Sequence, residues 1–242
     1  MTEEPYRWLE AISNRREYIR DQLKTGTPVF ALSRPEGILL LGVGQGQSKV
    51  FEIYDRHAFA ALGHPVDIER VRQAAIEAAH LEGFNRSAKD VTLRRLISFS
   101  LSGMLKTAFE QIFSPPLILE SLFAELGDNP SQDILVRLHY DGDHRYEPSG
   151  IVVAHQDLQA EAEASKWLHK TISPKDPLPR VADICLTAWQ TLVEGKSFAD
   201  LAPPAEIKFD IPGKSVESAL LDRRSTGSAR YLVRPLNSIS KT

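Results

Sequence analysis

Apolar and polar positions divide the chain into stretches of two different periods. Over residues 5–24, Leu9, Ile12, Ile19 and Leu23 recur at intervals of three, seven and four within a charge-rich, glycine-free segment. That spacing gives one helical stripe, with Pro5 suited to the first turn and Gly26 to the end. The period then shortens. The stretch TGTPVFALSRPEGILLLG, residues 25–42, reads as two short apolar strands joined at Arg34-Pro35-Glu36-Gly37. Residues 42–47, GVGQGQ, turn the chain into two further strand-like runs at 49–54 and 57–62, separated by Asp55-Arg56. Four short strands are therefore expected in succession.

Pro65 and Asp67 open a predicted helix in which Ile68, Val71, Ala75 and Ala78 share a face, and which should stop near Gly83. A second predicted helix spans 89–112, carries Ile97, Leu101, Leu105, Phe109 and Ile112 at helical spacing, and ends at Ser114-Pro115-Pro116. Strands are expected at 117–126 and 134–140, the second running into the turn Tyr140-Asp141-Gly142-Asp143, and at 150–154. Helical patterns at 158–170 and 177–194 follow, then a polar loop at 195–214, strand-like runs at 216–221 and 231–233, and a polar tail. No internal repeat is evident. Paired helices between runs of hairpin-linked strands predict an α+β fold: two mainly antiparallel sheets between helix layers, with an extra amphipathic helix in front.

At 242 residues, a single domain is expected. Apolar residues at 42% and charged residues at 25% exclude a disordered or fibrous chain. A net charge of −3, with basic and acidic residues interleaved, gives no electrostatic footprint for nucleic acid. Cys185 is the only cysteine and lies in an apolar run at 181–186, so no disulfide can form within the chain, and redox or zinc chemistry lacks a foundation. The start, MTEEPYRWLE, has neither the cationic flank nor the apolar segment of a secretory signal, and no run approaches the roughly 18 apolar residues of a membrane span. A cytoplasmic protein with no membrane or nucleic-acid partner and no cofactor is expected.

Residues 49–63, KVFEIYDRHAFAALG, resemble the stretch of proteasome subunits in which a lysine opens a strand ending near Asp-Arg and a second strand ends in Ala-Ala-x-Gly. Tyr18-Ile19-Arg20 resembles the Tyr-Ala-Arg end of the first helix of α-type subunits, and Asp67, Arg72, Ala79, Gly83 and Phe84 fit the first core helix. Lys89-Asp90-Val91-Thr92 and Tyr140-Asp141-Gly142 match further family positions, so the resemblance runs from residue 5 to about residue 235. It implies the four-layer αββα sandwich of bacterial 20S proteasome α subunits. Residues 1–242 then form one proteasome-type domain, with a ring-forming helix at 5–25, the sandwich at 27–235 and a polar tail at 236–242.

Two functional classes follow from the resemblance. In catalytic β-type members, cleavage before a threonine exposes an N-terminal nucleophile, which an acid and a lysine activate. Here Gly26-Thr27 marks the junction and Lys49 the activating position, so a self-processing threonine peptidase with Thr27 as nucleophile is one alternative. Against it, Val43 or Gly44 stands where the carboxylate is needed, only a short Gly-Gln turn precedes Lys49, and Pro28 removes the backbone N–H after the threonine. The bland reading of Gly26-Thr27 is a helix-ending glycine and a threonine starting a strand. The resemblance favours a non-catalytic α subunit in a seven-membered ring of its own copies. That ring would cap catalytic β subunits, gate the entry of unfolded protein substrates and receive an activating ATPase ring.

By the same resemblance Lys49 lines an inter-subunit pocket in which its ammonium pairs with the carboxylate of an activator tail, and Arg20 and Gly63 match other pocket positions. His64 departs from the small or aliphatic residue expected after Gly63. By the resemblance Met1, Thr2, Glu3 and Glu4 are the gate positions, short for the family and without the Tyr-Asp-Arg motif of archaeal and eukaryotic α subunits. Three other features carry bland readings. Gly42-x-Gly44-x-Gly46 resembles a phosphate cradle but leads into a strand, so a tight turn is expected. His139, Asp141, Asp143 and His144 are scattered by strand alternation and the Asp-Gly turn, so no metal is assigned. Trp8, on the first helix, is either core or a subunit contact.

Overall fold

The structure, a computed structural model, describes residues 4–204, 213–225 and 230–233. Helix α1 (Glu4–Leu23) leads into the hairpin β1 (Val29–Arg34) and β2 (Gly37–Gly44), and a second hairpin follows, β3 (Val50–Tyr54) and β4 (His57–Gly63). Helix α2 (Pro65–Asn85) precedes the helical pieces α3 (Leu93–Leu96) and α4 (Ser102–Glu110), which a π-helical turn at Ile97–Leu101 joins. Then come β5 (Leu119–Glu125), β6 (Ile134–Leu138), β7 (His144–Tyr146) and β8 (Ile151–Ala154). Helices α5 (Leu158–Thr171) and α6 (Leu178–Val193) and strands β9 (Ser215–Asp222) and β10 (Tyr231–Val233) finish the described fold.

Two five-stranded sheets form, in the orders β10-β9-β2-β1-β8 and β3-β4-β5-β6-β7, and every pairing is antiparallel. Alternation along each strand sends successive side chains to opposite faces. Ala31, Ile38 and Leu40 of one sheet meet Ala58, Ala60 and Leu122 of the other. Phe30, Leu39 and Val43 face the opposite way, onto Trp167, Ile184 and Trp189 of α5 and α6. Phe59, Phe123 and Val136 pack beneath Val71, Ala75 and Leu105 on the helices of the second sheet. These are the four layers expected. Both faces of the central strands are covered, so β1 and β2 read as nearly unbroken apolar runs rather than clean alternation.

Of the α1 stripe, Ile19 and Leu23 enter the inter-sheet core and Ile12 packs beside them, whereas Leu9 stays exposed. Arg15 joins this helix to α4 by donating to Ala108 O in its last turn at 2.9 Å and to Ser114 O just beyond it at 2.7 Å. The expected helix at 89–112 is thus segmented. A short 3₁₀ turn occupies Ala88–Asp90, and the start of α3 is capped by Glu125 of β5, whose Oε2 accepts from Leu93 N at 2.7 Å, while Thr92 makes no side-chain cap. Strand β7 is an addition to the expected set, a three-residue edge paired with β6 after the 140–143 turn.

One buried charge cluster ties the second sheet to α5. The Arg137 guanidinium on β6, fully buried, lies 2.7 Å from Glu120 of β5 and 3.1 Å from Glu161 of α5. It also donates to Ser121 O at 3.0 Å and His155 O at 3.1 Å. Removing the cation alone would strand two buried carboxylates. Arg137→Met should therefore lower unfolding stability by about 3–5 kcal/mol in urea titrations, and adding Glu120→Gln and Glu161→Gln should recover much of that loss. Equal stability of Arg137→Met and the unsubstituted chain would contradict this account.

Candidate functional site

The site is built where β1 begins, β2 ends and β3 is about to start. In β2, Gly42 and Gly44 lie on the face opposite the buried Val43 side chain. A Cβ on Gly42 would come within 3.2 Å of Lys49 Cβ, and one on Gly44 within 2.7 Å of Gln47 O. Gly42 therefore leaves room for the Lys49 stem, and Gly44 lets the 45–48 turn fold back closely. This agrees with the turn expected for the Gly-x-Gly-x-Gly stretch, and Gly46 with φ +87° supplies its left-handed residue.

Lys49 is fixed at both backbone groups. Its N–H donates to Glu217 Oε2 of β9 at 2.7 Å, and its carbonyl accepts from Ala61 N at 3.0 Å. The side chain then reaches Thr27, where Nζ donates to Oγ1 at 2.7 Å and to the carbonyl oxygen at 3.1 Å. The Thr27 hydroxyl donates in turn to Val43 O at 2.6 Å. A carbonyl can only accept, so the hydroxyl proton is committed there and Lys49 is left as a donor.

The Lys49 ammonium is pushed down to about 8, chiefly by burial, with Glu217 opposing the shift and repulsion from Lys214 adding to it. Lys24, Lys106 and Lys196 each lie within 3.2 Å of a carboxylate, but among the described residues Lys49 has no such pair. Lys49 lines a cleft of about 440 Å³ together with Thr27, Gln47, Phe51, Gly63 and Lys214, among others. The arrangement can hold an anion at its mouth. No carboxylate ends β2, and Val43 packs its side chain into the α6-facing core.

Gly63 closes β4 at the rim of this cleft. Its φ of +131° and the 2.2 Å separation that a Cβ would have from Ile118 O leave no room for a side chain. His64 next to it precedes the first turn of α2, where Asp67 Oδ2 accepts from Ile118 N at 3.0 Å. Arg20 stands elsewhere. Within one chain it lines a separate cleft of about 240 Å³ with Arg16, His139, Tyr140 and Asp141. Met1, Thr2 and Glu3 lie outside the described residues, as does the expected tail at 236–242, and Glu4 begins α1.

The pattern of the sequence gives Thr27 and Lys49 but not Glu217. Glu217 sits 168 positions beyond Lys49 and comes alongside only because β9 pairs with β2, setting Gly42 opposite Glu217. The other flagged residues have local duties. His139 Nδ1 lies 2.9 Å from Glu120 Oε2, and Asp141 and Asp143 accept backbone N–H groups within their own turn. Cys185 is buried in the α6 core, its thiol pushed up to about 12 by burial. Trp8 is 47% exposed on α1. Among the described residues no helix is long and apolar enough to cross a membrane.

No protein-family model matches the chain. Curated proteins do. The chain is 32% identical over 220 residues to the "Proteasome subunit alpha" of Jonesia denitrificans, covering 88% of this chain and 86% of that protein. The protein of the same name from Pseudarthrobacter chlorophenolicus is 30% identical over 94% of this chain and 92% of its own length. That of Actinosynnema mirum is 34% identical over 74% of this chain and 68% of its own.

The lowered proton affinity of Lys49 has a consequence for stability. Between about pH 8 and the ordinary lysine value of 10.5, the unfolded chain binds a proton at this position that the folded chain does not. The folded state is therefore penalised at pH 7, and the penalty disappears as pH rises through that window. The stability of Lys49→Met relative to the unsubstituted chain should fall between pH 7 and pH 11, by about 3 kcal/mol in full, in paired denaturant titrations. A difference that stays flat with pH would show that Lys49 titrates normally.

Proposed function

This chain belongs to the proteasome subunit alpha family, and from that premise we propose that it acts without peptidase activity of its own. It builds a seven-membered ring of its own copies that caps catalytic β subunits in the cytoplasm. The ring restricts the entry of unfolded substrates and receives the carboxylate tails of an activating ATPase ring. One observation carries this reading: Lys49 brings an ammonium with no carboxylate partner among the described residues to the wall of an open cleft. A peptide's terminal carboxylate supplies the charge that this ammonium lacks. Gly63 joins Lys49 at the rim of this pocket. Arg20, which one chain keeps apart from Lys49, joins the pocket from the neighbouring copy. Residues 1–4 act as the gate, α1 builds the ring, and residues 27–235 are one sandwich domain.

The self-processing alternative draws on the 2.7 Å contact between Thr27 and Lys49. Its chemistry needs a base to take the hydroxyl proton, and the Thr27 proton is given to Val43 O instead. Its nitrogen is part of an intact chain followed by Pro28. A silent subunit accounts for both facts with fewer demands.

Two experiments test the proposal. Intact-mass measurement of the chain purified with a β subunit should find residues before Thr27 retained, and loss of the first 26 would favour the peptidase. Lys49→Ala should abolish activator-stimulated degradation, at least about tenfold, while native mass spectrometry still finds the assembled particle, since the substitution removes one charge-assisted pair. Undiminished stimulation would take Lys49 out of the docking site.

A further inference from the structure

Thr27 satisfies Lys49 in a way that has a second chemical outcome. A neutral lysine amine has two N–H bonds and one lone pair. Both N–H bonds are placed, one toward Thr27 O at 3.1 Å and one toward Thr27 Oγ1 at 2.7 Å. The Thr27 hydroxyl cannot return a hydrogen to that lone pair, because its proton is donated to Val43 O at 2.6 Å. Among the described residues the lone pair is left without a partner, on a lysine that lines an open cleft of about 440 Å³. Lys106 and Lys196 instead lie within 3.2 Å of glutamate carboxylates.

We propose that Lys49 is an acylation site, taking a small acyl group from an acyl phosphate that enters the cleft. The Lys49 nitrogen attacks the acyl carbonyl carbon and forms the N–C bond. The C–O bond to phosphate breaks, and phosphate departs with the electron pair. The nitrogen then releases one proton to water at the cleft mouth, leaving a neutral amide. Lys214, facing the same cleft, attracts the anionic donor and its leaving group. Three charged groups face the amine from the surrounding elements: Lys214, Glu217 of β9, and Glu69 of α2, whose carboxylate is held by Arg72 and Gln73. The pKa of about 8 supports the same chemistry. At pH 7.5 about a quarter of such a lysine is amine, against about one part in a thousand for an ordinary one.

The consequence rests on the docking role proposed above, because an amide carries no charge with which to hold a terminal carboxylate. Acylation then turns docking off one subunit at a time. Exposing the full chain to acetyl phosphate at pH 7.5, with site-resolved mass spectrometry, should find Lys49 acetylated at least about tenfold faster than Lys106 or Lys196. The rate should climb with pH and level off above about 8. A Lys49 that reacts no faster than those two lysines would overturn the proposal. Thr27→Val, which removes the Oγ1 acceptor, should slow Lys49 severalfold and leave Lys106 unchanged; an unaltered Lys49 rate would overturn the role given to the lone pair. A fluorescent peptide with a free C-terminal carboxylate, compared with its amidated form, separates the two ideas. Selective acetylation with no binding of the free-acid peptide by unmodified rings would sustain the acylation site and remove only the docking role.

Discussion

The site depends on one arrangement: an ammonium buried beside the hydroxyl and carbonyl of Thr27, with no carboxylate in ion-pair contact among the described residues. Placing a charge in such a position costs stability, and the cost is visible in the depressed proton affinity of Lys49. The surrounding residues make the position possible. Gly42 gives the stem its space, Gly44 lets the 45–48 turn fold close, Glu217 holds the backbone nitrogen, and Thr27 accepts from Nζ. A chain shaped only for stability would have paired or removed this lysine. Its retention in a cleft fits a ligand that brings the missing charge.

On the non-catalytic reading proposed above, the same geometry keeps a nucleophile's neighbourhood without its reaction. Threonine and lysine stand in hydrogen-bond contact, as a catalytic relative would need, but the direction of the bonds is wrong for base catalysis. The hydroxyl donates to Val43 O, and Val43 itself turns into the core between the sheet and α6. Glu217 is the carboxylate that comes near, and it is engaged by the Lys49 backbone rather than by Thr27. Burial of the amine then gives this lysine an available lone pair, a property that catalysis and acylation have in common.

Most of the fold was legible because it is local in origin. Stripes at helical spacing and hairpins with short turns predicted α1, α2, α5 and α6 in place, one continuous helix where α3 and α4 stand, and the strands of both sheets except β7. What escaped depends on distant partners. The segmentation of the 89–112 helix follows from Glu125 capping Leu93 and Arg15 capping the far end of α4, contacts 32 and 93 or more residues apart in sequence. Strand β7 holds only three residues, His144 to Tyr146, and no apolar run announces it. The site divides in the same way. Thr27, Lys49 and Gly63 could be named from motif order, and the structure brings them to one cleft. Glu217 could not, since its place is set by strand pairing, and nothing in the sequence tells that Arg20 faces a different cleft of the same chain.

The central claim is that Lys49 serves as a receptor for a terminal carboxylate. Its most direct test is an NMR titration of the Lys49 side chain in the assembled particle, with and without a peptide ending in a free carboxylate. The account predicts a midpoint near pH 8 in the free protein and a clear upward shift once the peptide supplies the opposing charge. An ordinary midpoint near 10.5 that does not respond to the peptide would contradict it.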